Sequence, residues 1–172
     1  VTATVNSPTI CAGQSATLTA TGGTTYTWNT GSTANPYNVS PATTTSYTVT
    51  AANGACTGTA VGTVTVNPLP TVTLEANQTY CPGAAVPANT FASTPAGATY
   101  TWTNSNTATG LIASGTGGTP AFTATNGTGA PITSTITITP TLVTCVGPTS
   151  TFTITVNPTP ITTVNSPTIC PG

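Results

Sequence analysis

The sequence predicts an all-β chain built as two tandem antiparallel sandwiches, and three observations carry that prediction. Apolar and polar residues alternate over short runs, such as 24–29 (TTYTWN), 99–103 (TYTWT), 132–139 (ITSTITIT) and 151–156 (TFTITV). That is the period of a strand with one buried face. Turn-forming residues, Thr21-Gly22-Gly23 and Asn53-Gly54 among them, separate the runs at the short intervals of a sandwich. No stretch carries the 3.6-residue period of an amphipathic helix.

In the first domain, residues 1–68, strands are expected over 2–5, 15–20, 24–29, 37–39, 46–50 and 61–66. Asn6-Ser7-Pro8 breaks the pattern after the first of them. Within 24–29, Tyr26 and Trp28 fall on one face and Thr25 and Thr27 on the other, so the aromatic face is the core face. Pro41 opens a turn, and Asn53-Gly54 is a hairpin signal. Asn67-Pro68-Leu69-Pro70 ends the last strand, because proline has no N–H to give to a ladder. The second domain, residues 69–159, repeats this order with longer loops around 84–89 and 107–118. Its strands are expected over 71–74, 90–93, 99–103, 121–125, 132–139 and 151–156, with Asn157-Pro158-Thr159-Pro160 closing it. Tyr100 and Trp102 stand where Tyr26 and Trp28 stand, and the Thr133, Thr135, Thr137, Thr139 row is read as a solvent-facing side.

Residues 160–172 read as the start of a further copy. Val5-Asn6-Ser7-Pro8-Thr9-Ile10-Cys11 returns unchanged as Val164-Asn165-Ser166-Pro167-Thr168-Ile169-Cys170, an offset of 159 residues (164 − 5). Such an identity marks the seam of a tandem array, whose partners are adjacent copies of the same repeat. With proline-restricted linkers, each copy is expected to advance about 70–80 Å when extended.

Composition excludes whole classes of function. There is no Lys, Arg, His or Asp, Glu75 is the only side-chain carboxylate, and the formal net charge is −1. No general acid–base pair, metal cage or basic surface for nucleic acid can be assembled, so no catalytic, cofactor-binding or metal residue is expected and the chain is not read as an enzyme. A hydrophobic content of 37% at ordered spacings argues for a folded chain over a disordered stalk. No apolar run is long enough to cross a bilayer, and no charged segment followed by an apolar one has the pattern of a signal peptide, so any secretion signal is expected outside this stretch. The expectation is an internal piece of a longer secreted protein, without direct membrane insertion.

The five cysteines are Cys11, Cys56, Cys81, Cys145 and Cys170. Two fall in each domain at equivalent places, and Cys170 repeats Cys11. Intradomain pairs Cys11–Cys56 and Cys81–Cys145 are expected, each worth about 4 kcal/mol in the chain-entropy model. The first inter-strand loop and the last hairpin of a sandwich lie at opposite poles, so the alternative joins Cys11 to Cys145 of the following domain. Either arrangement implies an oxidising compartment. Asn38-Val39-Ser40, Asn77-Gln78-Thr79 and Asn126-Gly127-Thr128 fit the N-glycosylation sequon, making Asn38, Asn77 and Asn126 glycosylation candidates. Edges without charged gatekeepers need covalently attached glycans or neighbouring chains to mask them.

Both domains also carry a family resemblance. In the first it lies in Cys11-Ala12-Gly13-Gln14-Ser15, Tyr26-Thr27-Trp28-Asn29-Thr30-Gly31, Ser46-Tyr47-Thr48-Val49-Thr50 and Val64-Thr65-Val66-Asn67-Pro68. In the second it lies in Tyr100-Thr101-Trp102, Ala121-Phe122-Thr123-Ala124-Thr125-Asn126, Cys145-Val146-Gly147 and Phe152-Thr153-Ile154-Thr155-Val156-Asn157-Pro158. These segments resemble the immunoglobulin-like and PKD-like repeats of very long secreted surface proteins of Bacteroidota, associated with type IX secretion and gliding motility. The resemblance implies immunoglobulin-like sandwiches in an extracellular, adhesin-like stalk or filament at the cell surface. The alternative it leaves is a glycan- or protein-binding module that uses the second-domain loops and Trp102. Two departures stand out. Asn29-Thr30-Gly31 replaces the acidic turn of PKD domains, so calcium is not expected, and Val49 occupies the place of an antibody-type cysteine.

Overall fold

The computed structural model describes residues 1–73 and 75–161. Leu74, the end of one expected strand, and most of the expected further copy with Cys170 lie outside the described residues. The chain divides into two compact units: Val1–Pro70 with Thr141–Gly147, and Thr71–Pro140 with the chain from Pro148. The grouping of Thr141–Gly147 with the first unit differs from the two contiguous segments the sequence suggests.

The first unit contains β1 (Thr4–Val5), β2 (Thr9–Cys11), β3 (Ala16–Leu18), β4 (Ala20–Thr21), β5 (Thr25–Trp28), β6 (Tyr37–Val39), β7 (Thr45–Asn53) and β8 (Cys56–Asn67). One sheet runs β2-β8-β7-β5, while β1 pairs with β4 and β3 with β6 on the other side. Between them lie Leu18, Ala20, Trp28, Val39, Tyr47, Val49 and Val64. Alternation does this work: in β7 every second residue, Tyr47, Val49 and Ala51, is buried. Trp28, 2% exposed, sits opposite Val49 in the ladder and donates its indole N–H to the Ala34 carbonyl at 2.8 Å. Val49 and Leu18, both fully buried, supply apolar packing across the two sheets with no sulfur bridge there.

The second unit contains β9 (Thr71–Val72), β10 (Gln78–Tyr80), β11 (Ala85–Val86), β12 (Ser93–Thr94), β13 (Thr99–Asn104), a 3-10 turn (Thr107–Thr109), β14 (Ser114–Thr116), β15 (Phe122–Thr123), β16 (Ile132–Leu142), β17 (Cys145–Val146) and β18 (Ser150–Val156). Its sheet runs β10-β18-β16-β13-β14, with β9 paired to β12 and β11 to β15. Trp102, Leu111, Ile136, Ile138, Phe152 and Ile154 form the core with Val72. The threonine row of β16 stays on the outer side, where Thr133 meets Thr155 across the strands at 3.0 Å. The last two residues of β16 pair with β17, Thr141 opposite Val146 and Leu142 opposite Cys145, in the part grouped with the first unit.

The fold is thus all-β and immunoglobulin-like in both units, with the Trp-bearing strand and the last two long strands in one sheet. Antiparallel pairs dominate, and β2–β8 and β10–β18 are parallel. β2 and β10 are not among the strands expected from the sequence, because three residues are too few to carry a period. β8 begins at Cys56, five residues before the expected Val61, because Gly58 and Ala60 put no large apolar side chain on the inner positions there. The glycines there have a reason. A Cβ at Gly62 would come within 2.6 Å of the Asn6 carbonyl oxygen, and one at Gly58 would strike the Val1 carbonyl. The amino-terminal segment therefore crosses β8 where side chains are missing. In the second unit β11 and β14 fall in stretches read as loops, and 90–93 becomes the two-residue β12.

Asparagine amides complete what these short strands cannot. Asn35 accepts from the Ala20 N–H at 2.9 Å and donates to the Ala20 carbonyl at 2.8 Å. Asn6 does the same for the Thr19 N–H and Thr17 carbonyl, at 2.7 and 3.0 Å. Asn104 donates to the Leu111 carbonyl at 2.9 Å and accepts from the Asn106 N–H. Asn35 and Asn104 thereby satisfy backbone groups in partly or fully buried surroundings, and Asn6 does so at the surface.

Candidate functional site: the cysteine loop and hairpin

β2 ends at Cys11, opposite Asn67 at the far end of β8. The Ala12 N–H then donates to the Asn67 carbonyl at 2.8 Å, and a tight turn follows. The Gln14 N–H closes it on the Cys11 carbonyl at 3.0 Å, while the Cys11 N–H donates to the Gln14 side-chain oxygen at 3.0 Å. Gly13 takes φ +84°, a conformation that costs a glycine little. The turn therefore holds the cysteine by its backbone N–H and carbonyl.

Cys145 opens β17 directly after a two-residue hairpin loop, Val143-Thr144. It is 1% exposed and bonded to Cys11, with an S–S distance of 2.00 Å and Cα atoms 5.6 Å apart. Ala12, Gly13, Gln14, Leu69, Thr144 and Val146 surround the bond in a shallow, open depression. Apart from the bonded cysteine, that lining holds only uncharged side chains, and what the structure shows there is a covalent link.

The expected pairs Cys11–Cys56 and Cys81–Cys145 are therefore corrected to Cys11–Cys145, the alternative that the poles of a sandwich allow. Cys56 and Cys81 are exposed free thiols. Strand length is the reason. Cys56 begins the 12-residue β8 and Cys11 lies beside its last residue. At about 3.3 Å per residue the two are roughly 36 Å apart, far beyond the Cα separation of about 4.4–6.8 Å that a disulfide tolerates. Tyr80, beside Cys81, likewise pairs with Val156 at the far end of β18, which alone spans about 20 Å.

The other candidates separate by what their atoms already do. Trp102 is 2% exposed, with its indole N–H donating to the Gly118 carbonyl at 3.2 Å. Gly115 lies against its ring so closely that a Cβ would meet Cζ2 at 2.5 Å, so Trp102 is a core residue with no face to offer a ligand. Asn126 donates to the Ala130 and Val156 carbonyls at 2.9 and 2.8 Å, and its carbonyl oxygen accepts from Thr128. Its amide nitrogen is fully engaged. Asn38 and Asn77 are exposed, and their bonds run through the side-chain oxygen, from the Thr17 hydroxyl at 2.7 Å and the Thr153 N–H at 2.9 Å. Among the described residues no cluster of three or more His, Cys, Asp or Glu could hold a metal ion, and no helix is long and apolar enough to cross a membrane.

The chain matches no known protein family and no curated protein sequence. Solved structures similar to it include a three-domain immunoglobulin fragment of titin, I67–I69, carrying E-to-A mutations. That one is 13% identical with a TM-score of 0.48, covering 90% of this chain and 64% of the titin fragment. The titin Z1Z2 domains in complex with telethonin are 15% identical with a TM-score of 0.33, over 91% of this chain and 94% of that one. Sidekick-1 immunoglobulin domains 1–5 are 12% identical with a TM-score of 0.46, over 90% of this chain and 38% of theirs.

Proposed function

We propose that this chain is a non-catalytic structural repeat of an extracellular, cell-surface stalk or filament, in which successive copies follow one another covalently and disulfides fix the joints. The observation that carries the reading is the Cys11–Cys145 bond, which ties the first loop of the chain to a hairpin 134 residues further on. A bond of that kind persists only in an oxidising compartment, which supports secretion. It also stiffens a chain against extension, a use that suits a stalk. The seam heptapeptide at positions 5 and 164 supports a tandem array, with neighbouring copies as the partners. Sugar on Asn38 or Asn77 belongs to the same reading, since both residues are exposed and the sequence is almost free of charge.

The test is electron microscopy of an oxidised chain of several copies. Threads with an axial advance of about 70–80 Å per copy are expected, shortened where the domains zigzag. Compact particles without an axial repeat would sink the proposal. A glycan-binding role built on Trp102 is disfavoured by the burial of that ring.

A further inference from the structure

We infer that Cys81 and Cys56 are the two halves of a second disulfide, formed between Cys81 of one copy and Cys56 of the next. This rests on the array reading above. The settings of the four described cysteines carry it.

Cys81 repeats the setting of Cys11. β2 runs parallel to the end of β8 and stops beside Asn67, and β10 runs parallel to the end of β18, where the Asn157 N–H donates to the Tyr80 carbonyl at 2.9 Å. The turn that follows is the same, with the Ala84 N–H closing on the Cys81 carbonyl at 3.1 Å and Gly83 at φ +84°, the value of Gly13. Cys56 repeats the setting of Cys145. Each opens a strand after a two-residue loop, Asn53 opposite Cys56 and Leu142 opposite Cys145, and the first loop residues Gly54 and Val143 have φ +60° and +58°. The chain thus holds two loop cysteines and two hairpin cysteines. One of each is joined, and the other two are exposed thiols.

Order along the chain selects the partner. In the bond that forms, the hairpin cysteine follows the loop cysteine by 134 residues. Cys56 precedes Cys81 in its own copy, but counting on by the 159-residue period places the next Cys56 134 residues beyond Cys81, the same separation. The bond forms by exchange with a low-molecular-weight disulfide. One thiolate attacks it and releases a thiol, and the second thiolate displaces the other half, so two protein thiols are oxidised and one small disulfide is reduced to two thiols.

This bond changes the topology of the array. Cys11–Cys145 leaves the backbone after Cys145, including Asn157-Pro158-Thr159-Pro160, outside any loop until the next copy's own bond begins. A bond from Cys81 to the next Cys56 spans that gap. Every interior peptide bond is then bridged by at least one disulfide, and a single proteolytic nick no longer severs the thread.

The test is a chain of two copies, residues 1–159 followed by the full 172, oxidised with glutathione disulfide and carrying a protease site between Thr159 of the first copy and Val1 of the second. After cleavage the halves should stay together on a non-reducing denaturing gel and separate with reductant. Peptide mapping should join Cys81 of the first copy to Cys56 of the second, with loss of maleimide labelling at both. Cys81→Ser in the first copy should release the halves without reductant. Halves that separate while both copies carry Cys11–Cys145, or that are held by any other pair, overturn the inference and leave the array reading standing. A second copy that fails to form Cys11–Cys145 overturns the array reading, and this inference with it.

Discussion

At the residue scale, the chain replaces charge with amides. With no Lys, Arg, His or Asp to form ion pairs, backbone groups at strand ends are satisfied by asparagine. Asn35 is the clearest case, because both its bonds go to Ala20, which is buried. Asn35→Ala would orphan a buried N–H and a buried carbonyl, each worth about 1–3 kcal/mol. We predict a loss of about 2–4 kcal/mol in urea unfolding, against no more than about 0.5 kcal/mol for Asn38→Ala, whose side chain lies on the surface. Equal effects would refute the bracketing role. The same poverty of charge sets the pH response. Burial pushes the Tyr47 phenol above its usual range, with the nearby Tyr37 adding to the shift. A raised acid pKa means the folded state holds its proton where the unfolded chain has lost it, so stability is intact below the unfolded value of about 10 and falls as pH rises through the folded one. A flat melting temperature between about pH 5.5 and 8 is expected, with a decline above 10 that Tyr47→Phe reduces. A decline that Tyr47→Phe leaves unchanged would place its cause elsewhere.

At the scale of the element, the two hairpins that carry Cys56 and Cys145 solve one geometry with different residues. Gly54 enters the left-handed region freely, whereas Val143 is forced there at φ +58° with a β-branched side chain that is 79% exposed and packs on little. The left-handed conformation costs a non-glycine residue about 1–2 kcal/mol. Val143→Gly should therefore stabilise the hairpin, by about 1 kcal/mol after the entropy of the unfolded glycine is subtracted. A higher urea midpoint with unchanged slope is the expected readout, and a lower midpoint would mean that the valine side chain contributes packing. The elements also show what a sequence can tell. Trp28, Trp102 and the Asn53-Gly54 turn were legible because period and turn chemistry are local. β2 and β10 were not, because Thr9-Ile10-Cys11 and Gln78-Thr79-Tyr80 become strands only by lying parallel to a strand more than 50 residues away. The disulfide partner was hidden for the same reason. Choosing between Cys56 and Cys145 requires the true length of β8, and Gly58 and Gly62 conceal that length by standing at inner positions without a side chain to mark the period.

At the scale of the whole molecule, the bond decides how the chain responds when pulled. In each unit a three-residue strand lies parallel beside the end of a long one, β2 beside β8 and β10 beside β18, so tension along the backbone shears those ladders instead of unzipping them. Once those ladders give, the disulfide sets the limit, because the stretch from Cys11 to Cys145, a separation of 134 residues, cannot lengthen while it holds. At about 3.3–3.6 Å per extended residue, the hidden length is roughly 440–480 Å. The prediction is a large redox effect in single-molecule extension of this chain held by its ends. In the oxidised state only the residues outside the loop should pay out. Added reductant should then release a further step of about 450 Å without a rise in the force needed to start unfolding. An oxidised chain that reaches the same full length as the reduced one would show that the bond is not made in solution, and the stalk reading would lose its mechanical basis.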